Sequence, residues 1–225
     1  TLSYTLSLHD ALPICEVDAI VHVVRCFEDD DIIHVSGSID PLRDAEVINL
    51  ELALADLAQV EKRRERLKKQ LRTSKEAQLE DGALERIQAA LEQGGAARSV
   101  ALSAEEAALA KPLGLLTAKP IIYATNVSED DLADGNAFCE AVVGLADREG
   151  AATVRISAQV EAELIELPEA ERAEFLAGLG VEEGGLQSLI RATYALLGLR
   201  TYFTTGEKET RAWTIHAGMT APQAA

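Results

Sequence analysis

A run of β-prone residues, Pro120-Ile121-Ile122-Tyr123-Ala124-Thr125, leads directly into Asn126-Val127-Ser128-Glu129. An amide and a carboxylate three residues apart at the end of a strand carry the groups needed to read a purine edge. Guanine presents N1–H and a 2-amino group, which one carboxylate accepts together, so Asn-x-x-Asp suits guanine. Adenine presents an N1 acceptor and an N6 donor instead. A carboxylate facing adenine N1 would set two acceptors against each other, a costly arrangement. The longer Glu129 in the Asp place disturbs the guanine fork without creating an adenine fork. Adenine is then read by backbone, the Val127 carbonyl accepting from N6. The Asn126 amide is left to bond N7 and brace the loop. By itself Asn-x-x-Glu has little specificity, and the competing reading is structural: Ser128 caps the next helix with Asp131 at its third position.

The second chemical feature is charge. Eight of the 21 basic residues fall between 62 and 75: Lys62, Arg63, Arg64, Arg66, Lys68, Lys69, Arg72 and Lys75, with Glu65 the one acid among them. Such a run docks onto a phosphate-rich surface such as ribosomal RNA through salt-sensitive contacts. Its plain alternative is a solvated helix face laced with i,i+4 pairs. The formal net charge of −17 argues against polyanionic partners elsewhere on the molecule. Cys26 lies inside an apolar strand and reads as inert packing. Cys139 has an acidic neighbour, Glu140, that would not activate it. Cys15, Cys26 and Cys139 show no metal-like spacing, and an odd count argues against a disulfide framework. His22 and His34 flank the first strand without a carboxylate at metal spacing, so packing and loop roles are expected.

These groups need elements to hold them. Residues 17–27, VDAIVHVVRCF, form a near-continuous β-branched run, predicting a strand buried on both faces of a parallel sheet. EDDDIIHVSGSID reads as a loop, and Asp40-Pro41 as N-cap and first residue of a helix reaching about Gln70. Val47, Leu50, Leu54 and Leu57 keep a/d spacing, resuming at Leu67 and Leu71. Asp81-Gly82 breaks the pattern, and Leu84, Ile87 and Leu91 carry a second stripe to Gly94-Gly95, predicting a helical hairpin. Ser103 and Glu106 form a capping box for a short helix. A second buried strand is expected at 119–126, a helix from about Leu132 to Glu149 ended by Gly150, and a third strand at 152–157. Helical patterns follow at 159–166, 169–178 and 185–198. Two alternating runs around Gly206-Glu207, within 200–215, predict a β-hairpin opening a small further domain. The order is that of a doubly wound α/β sheet carrying a helical insertion.

At 225 residues and 48% apolar, the chain can bury a sizeable core. No run reaches the ~18 apolar residues of a membrane span, so a membrane partner is not expected; the odd, unpatterned cysteines make a reducing cytoplasm the default setting. Aromatic residues make up 4%, too few for base stacking to dominate nucleic-acid contact. Residues 1–14, TLSYTLSLHDALPI, lack a basic start and a small-x-small cleavage site. They are similar to a translated sequencing adapter, with Cys15 at the junction, and upstream sequence is expected to be missing.

VDAIVHVVRCFEDDDIIHVSGSIDPLRDAEVINLELALADL and KPIIYATNVSED resemble the YchF family of Obg-like ATPases, as do SAQVEAELIELPEAERAEFLAGLG, LIRATYALLGLRTYFTTGEKETRAWTI and GMTAPQAA. The resemblance covers residues 16–225. It implies an ATP hydrolase, described in the family as redox-regulated, built on a P-loop GTPase-like (OBG-type) domain. That domain would occupy 16–44 and 116–198, with a coiled-coil hairpin inserted at 45–115 and the start of a β-grasp TGS domain at 199–225. The resemblance places Asn126, Val127 and Glu129 on the base-recognition motif and Ser157-Ala158 on the loop that closes over the base. It implies ATP and Mg²⁺ as cofactors and the ribosome or ribosomal RNA as partner, with no DNA. The family's phosphate loop and metal-binding Ser and Thr would precede residue 17. No G-x-x-x-x-G-K-[ST] occurs in the chain, so catalytic residues are expected to be absent and the chain inactive in hydrolysis. The alternative is a non-catalytic RNA-binding adaptor working through the basic hairpin.

Overall fold

The computed structural model describes residues 16–29, 38–207 and 209–224; residues 1–15, His34 and most of the loop around it lie outside this set. Three β-branched segments become strands β1 (Ile20–Arg25), β2 (Ile121–Asn126) and β3 (Ala152–Ile156) of one parallel sheet in the order β1-β2-β3. Arg25 pairs with Asn126, and Asn126 with Ile156, so all three strands end level. Loops leaving that carboxyl edge therefore meet at Asn126, where open α/β sheets bind ligands.

Between β1 and β2 the chain forms α1 (Pro41–Leu67), α2 (Lys75–Glu92) and α3 (Ala104–Ala110). Asp40 caps α1 by accepting from the Arg43 amide at 3.1 Å, and Pro41 takes the first turn. The Ser103–Glu106 capping box is formed at α3. After β2 come α4 (Ala137–Glu149), β3, α5 (Ala158–Glu166), α6 (Glu169–Gly178) and α7 (Gly185–Leu196). Strands β4 (Leu199–Thr205) and β5 (Thr210–His216) form a separate antiparallel hairpin, and α8 (Ala221–Ala224) follows.

Apolar burial is divided in two. One core joins the sheet to α4, α5 and α6 around Tyr123, Val142 and Val160. The other lies within the helical pair, around Val60, Leu67, Leu84 and Ile87.

Four expectations are corrected. β1 is not buried on both faces, because Val21 and Val23 are exposed while Val24 and Cys26 are buried. β2, with a strand on either side, is the one buried throughout. Val47, Leu50 and Leu54 of α1 face outward; the buried residues are Pro41, Ala45, Leu52, Ala53, Asp56, Val60 and Leu67. Large apolar residues alone misplace this seam, since Ala and a hydrogen-bonded Asp fill much of it. Gly82 does not interrupt α2, for Ala77, Leu84, Ile87 and Leu91 bury one face and outweigh the ~1 kcal/mol glycine penalty. The helix expected from Leu132 begins at Ala137, with Asn136 as its cap.

Candidate nucleotide-base site

The site is assembled where β1, β2 and β3 end. The Asn126 carbonyl accepts from the Cys26 amide at 2.7 Å, and the Val127 amide donates to the Ile156 carbonyl at 2.9 Å, extending the ladder one residue beyond the strands. The Asn126 Oδ1 accepts from the Ala158 amide at 2.9 Å. One side chain thus ties the end of β2 to the start of α5, bringing Asn126 and Ala158 together. Its Nδ2 donates to no other described residue and is free to meet a base. Ser157 is buried and caps α5, its Oγ accepting from the Val160 amide at 3.5 Å. Ala158 is exposed beside it. The Val127 side chain is buried in the sheet core, so only its backbone faces a ligand. Glu129 is half-buried, and its carboxylate bonds no described residue.

Asn136, Arg155 and Gly135, which sequence reading did not single out, do much to hold the loop from Val127 to Asn136. Asn136 Nδ2 donates to the Cys26 carbonyl and to Asp131 Oδ2, both at 2.8 Å, while its Oδ1 accepts from the Cys139 amide at 3.0 Å. Ser128 Oγ donates to the same Asp131 oxygen at 3.0 Å. Ser128 is therefore not a helix cap; the cap sits eight residues later. Arg155 on β3 reaches across to the Leu132 and Ala133 carbonyls. Gly135 has φ +80°, a conformation that favours glycine, and a Cβ there would stand 2.7 Å from the Arg155 guanidinium, which would have to shift. Gly135-Asn136 is a turn signal in the sequence. Nothing near it indicates a bond to Cys26, 110 residues away in the chain.

Cys26 and Cys139 are both buried and free, and their thiols are hydrogen-bonded to each other. That bond and the Asn136 cap hold the Cys139 thiol below its ordinary range, while Cys26, donating and buried, is pushed up. The partner of Cys139 is Cys26, across the sheet edge, and not its chain neighbour Glu140.

A second polar cluster lies at the root of the helical pair. Asn49 Nδ2 donates to the Tyr123 hydroxyl at 2.7 Å and to Glu149 at 3.0 Å; Tyr123 donates to Glu149 at 3.0 Å, and Arg98 to Glu149 at 2.5 Å. Burial chiefly pushes the Tyr123 phenol up to about 12. His22 stacks tilted on Tyr123, ring centroids 5.4 Å apart, with its Nδ1 buried and unbonded, and burial pulls its pKa down. Asp56 on α1 accepts from the Leu116 and Thr117 amides at 2.8 and 2.7 Å and from the Thr117 hydroxyl at 2.7 Å. Burial pushes its carboxyl up against these bonds, which pull it down.

On the helical pair the eight cations separate into two sets. Arg63 makes a bidentate pair with buried Glu80 at 2.6 and 2.7 Å; Arg64 binds Asp81 at 3.0 Å and Glu85 at 3.3 Å; Lys68 pairs with Glu65 at 2.6 Å. Lys62, Arg66, Lys69, Arg72 and Lys75 are exposed and pair with no described residue.

A parallel sheet flanked by helices, with a helical insertion between its first two strands and loops that meet at its carboxyl edge, places the chain among the α/β proteins. Residues 199–225 match the family model YchF-GTPase_C, described as a protein of unknown function (DUF933). Over 211 residues the chain is 51% identical to "Ribosome-binding ATPase YchF" of Haemophilus influenzae. It is 49% identical over 213 residues to the protein of that name in Bacillus subtilis. In each case the match takes in 93% of this chain and 58% of the relative, so the chain spans well under two thirds of its relatives' length. It superposes on the "Structure of the Schizosaccharomyces pombe YchF GTPase" with a TM-score of 0.81 and 37% identity, over 92% of this chain and 57% of that one. The chain belongs to the YchF family.

Proposed function

We propose that this chain supplies the base-reading half and the helical insertion of an ATP-hydrolysing, ribosome-associated P-loop protein of the cytoplasm. The observation that carries this reading is the 2.9 Å bond between Asn126 Oδ1 and the Ala158 amide. It joins the two loops that would enclose a base and leaves the Nδ2 donors for adenine N7. Val127 offers a backbone carbonyl to N6, Ser157 holds the closing loop from beneath, and Glu129 stands where a guanine-reading Asp would be. The bacterial relatives are called ribosome-binding ATPases, which supports adenine, whereas the Schizosaccharomyces pombe relative is called a GTPase. The chemistry of Glu129 favours the first. In domain terms, 16–44 and 116–198 form the OBG-type portion, 45–115 the inserted coiled coil and 199–225 the opening of the TGS domain.

The residues fit the base of ATP. Among the described residues no group of three or more His, Cys, Asp or Glu is placed to hold a metal ion. This reading assigns Mg²⁺ and the phosphates to sequence outside this chain, and no hydrolytic step to its residues. Titrating the chain with adenosine and guanosine, followed by amide NMR shifts, tests the reading. Adenosine should perturb Val127, Glu129 and Ala158, and Glu129→Asp should move the preference toward guanosine. Equal or stronger guanosine binding by the unaltered chain would overturn it.

The helical pair supports a second activity compatible with the first. Five exposed cations without ion-pair partners among the described residues, at Lys62, Arg66, Lys69, Arg72 and Lys75, suit the phosphates of ribosomal RNA. If the chain acts alone, this surface makes it a non-catalytic adaptor. No helix among the described residues is long and apolar enough to cross a membrane.

A further inference from the structure

The loop from Val127 to Asn136 is closed at both ends on one residue. The Cys26 amide donates to the Asn126 carbonyl at 2.7 Å, and the Cys26 carbonyl accepts from Asn136 Nδ2 at 2.8 Å. Cys26 is buried in the sheet core, so both loop ends are fixed to the core and not to another loop. Between these pins lies Asp131. Its Oδ2 accepts from Ser128 Oγ at 3.0 Å and from Asn136 Nδ2 at 2.8 Å. The backbone turns tightly around it, Leu132 donating to the Glu129 carbonyl at 3.1 Å and Gly135 to the Asp131 carbonyl at 2.8 Å. Ser128, Asp131 and Asn136 thus turn their polar groups inward to one another, whereas the Glu129 carboxylate bonds no described residue.

We propose, resting on the adenine reading above, that Asn136, acting through Asp131, is a positioning residue that sets the selectivity of the base loop. Neither side chain contacts the base; both act by fixing the backbone that carries Val127 and Glu129. Guanine is held only if the Glu129 carboxylate accepts from N1–H and the 2-amino group together, and its extra methylene disturbs that fork while the backbone is locked. A slack loop removes the restriction, because the backbone can retreat by the length of the methylene. Adenine gains nothing from the same slack. It is read by the Val127 carbonyl, and a mobile loop must be ordered on binding, which weakens it. The lock therefore favours adenine twice, by placing the acceptor for N6 and by denying Glu129 the guanine fork.

Asn136→Asp separates this role from helix capping. Its carboxylate still accepts from the Cys139 amide, since Asp and Asn cap helices about equally well, but it cannot donate to Cys26 or Asp131. Asp131→Ala removes the lock from the other side and leaves the cap untouched, and circular dichroism should show both variants folded. Adenosine and guanosine are titrated against the 225-residue chain and each variant, followed by the amide NMR shifts of Val127 and Ala158. Each variant should bind adenosine about fivefold more weakly, the worth of one ordering hydrogen bond, and guanosine as well as before or better. Adding Asp131→Asn to Asn136→Asp lets residue 131 donate where it had accepted, and should return most of the preference. A merely structural role would weaken both nucleosides in equal proportion, or neither. An unchanged adenosine-to-guanosine ratio in the single variants would therefore overturn the proposal and leave the adenine reading standing. So would a double variant as unselective as Asn136→Asp. A preference of the unaltered chain for guanosine would overturn the adenine reading, and this proposal with it.

Discussion

Asn136 bonds the Cys26 carbonyl, Asp131 and the Cys139 amide at once, and so decides where the loop after Asn126 runs. Asp56 does the same for the segment entering β2, with three hydrogen bonds to its buried carboxylate. Asp56→Ala strands two buried amides, each worth about 1–3 kcal/mol. Urea unfolding should show a loss of about 3 kcal/mol, far more than for removal of an exposed acid such as Glu76. Tyr123 gives a pH signature. Its folded pKa, about 12, lies above the ordinary 10.0, so the stability it contributes is fully present below pH 10 and is lost as pH rises from there through about 12. Tyrosinate absorbance should show one residue ionising at about 12 in the folded chain, and Tyr123→Phe should remove that step. If the remaining tyrosines still show it after the substitution, the assignment to Tyr123 fails.

At the scale of elements, α2 tests how packing overrides local preference. Gly82 is exposed, lies in the helix interior, and has nothing within 4 Å of where a Cβ would stand. Gly82→Ala should therefore raise stability by about 1 kcal/mol, seen as a higher Tm. Gly135→Ala should do the reverse, because its positive φ strains any other residue and a Cβ would displace the Arg155 guanidinium from the loop. Opposite signs for one substitution at two glycines separate helix propensity from loop geometry. The β strands carry a related contrast. β1 and β2 are both rich in β-branched residues, yet only β2 is buried throughout, because it alone has a strand on each side.

For the whole molecule, the distribution of charge matters more than its sum. A net charge of −17 coexists with five exposed cations on the helical pair that bond no described residue. The proposed binding to ribosomal RNA should therefore be strongly salt-dependent. Replacing Arg66, Lys69 and Arg72 with Ala should lower the slope of log affinity against log salt by about 3, one for each phosphate no longer neutralised. The same substitutions at Arg63 and Arg64 should chiefly destabilise the helical pair, because those guanidinium groups hold Glu80 and Asp81. An unchanged slope in the first variant would remove this end of the helical pair from the interface. The 225-residue chain should hydrolyse ATP no faster than background, measured as phosphate release.

The succession of strands and helices and the place of the helical insertion were legible in the sequence because each rests on local periodicity. β-branched runs and capping residues carry their meaning within a few positions. What tertiary structure decided was everything set by partners far apart in the chain. The seam of α1 could not be placed from large apolar residues, since Ala53 and Asp56 are buried only because α2 and the Leu116–Thr117 segment approach them. Cys26 and Cys139 meet only because β1 and α4 are brought to the same sheet edge. The division of eight similar cations into paired and unpaired ones depends on where Glu80, Asp81 and Glu85 fall across the helical pair. Side-chain chemistry is written in the sequence, but its partner, burial and charge state are properties of contacts that exist only once the chain has folded.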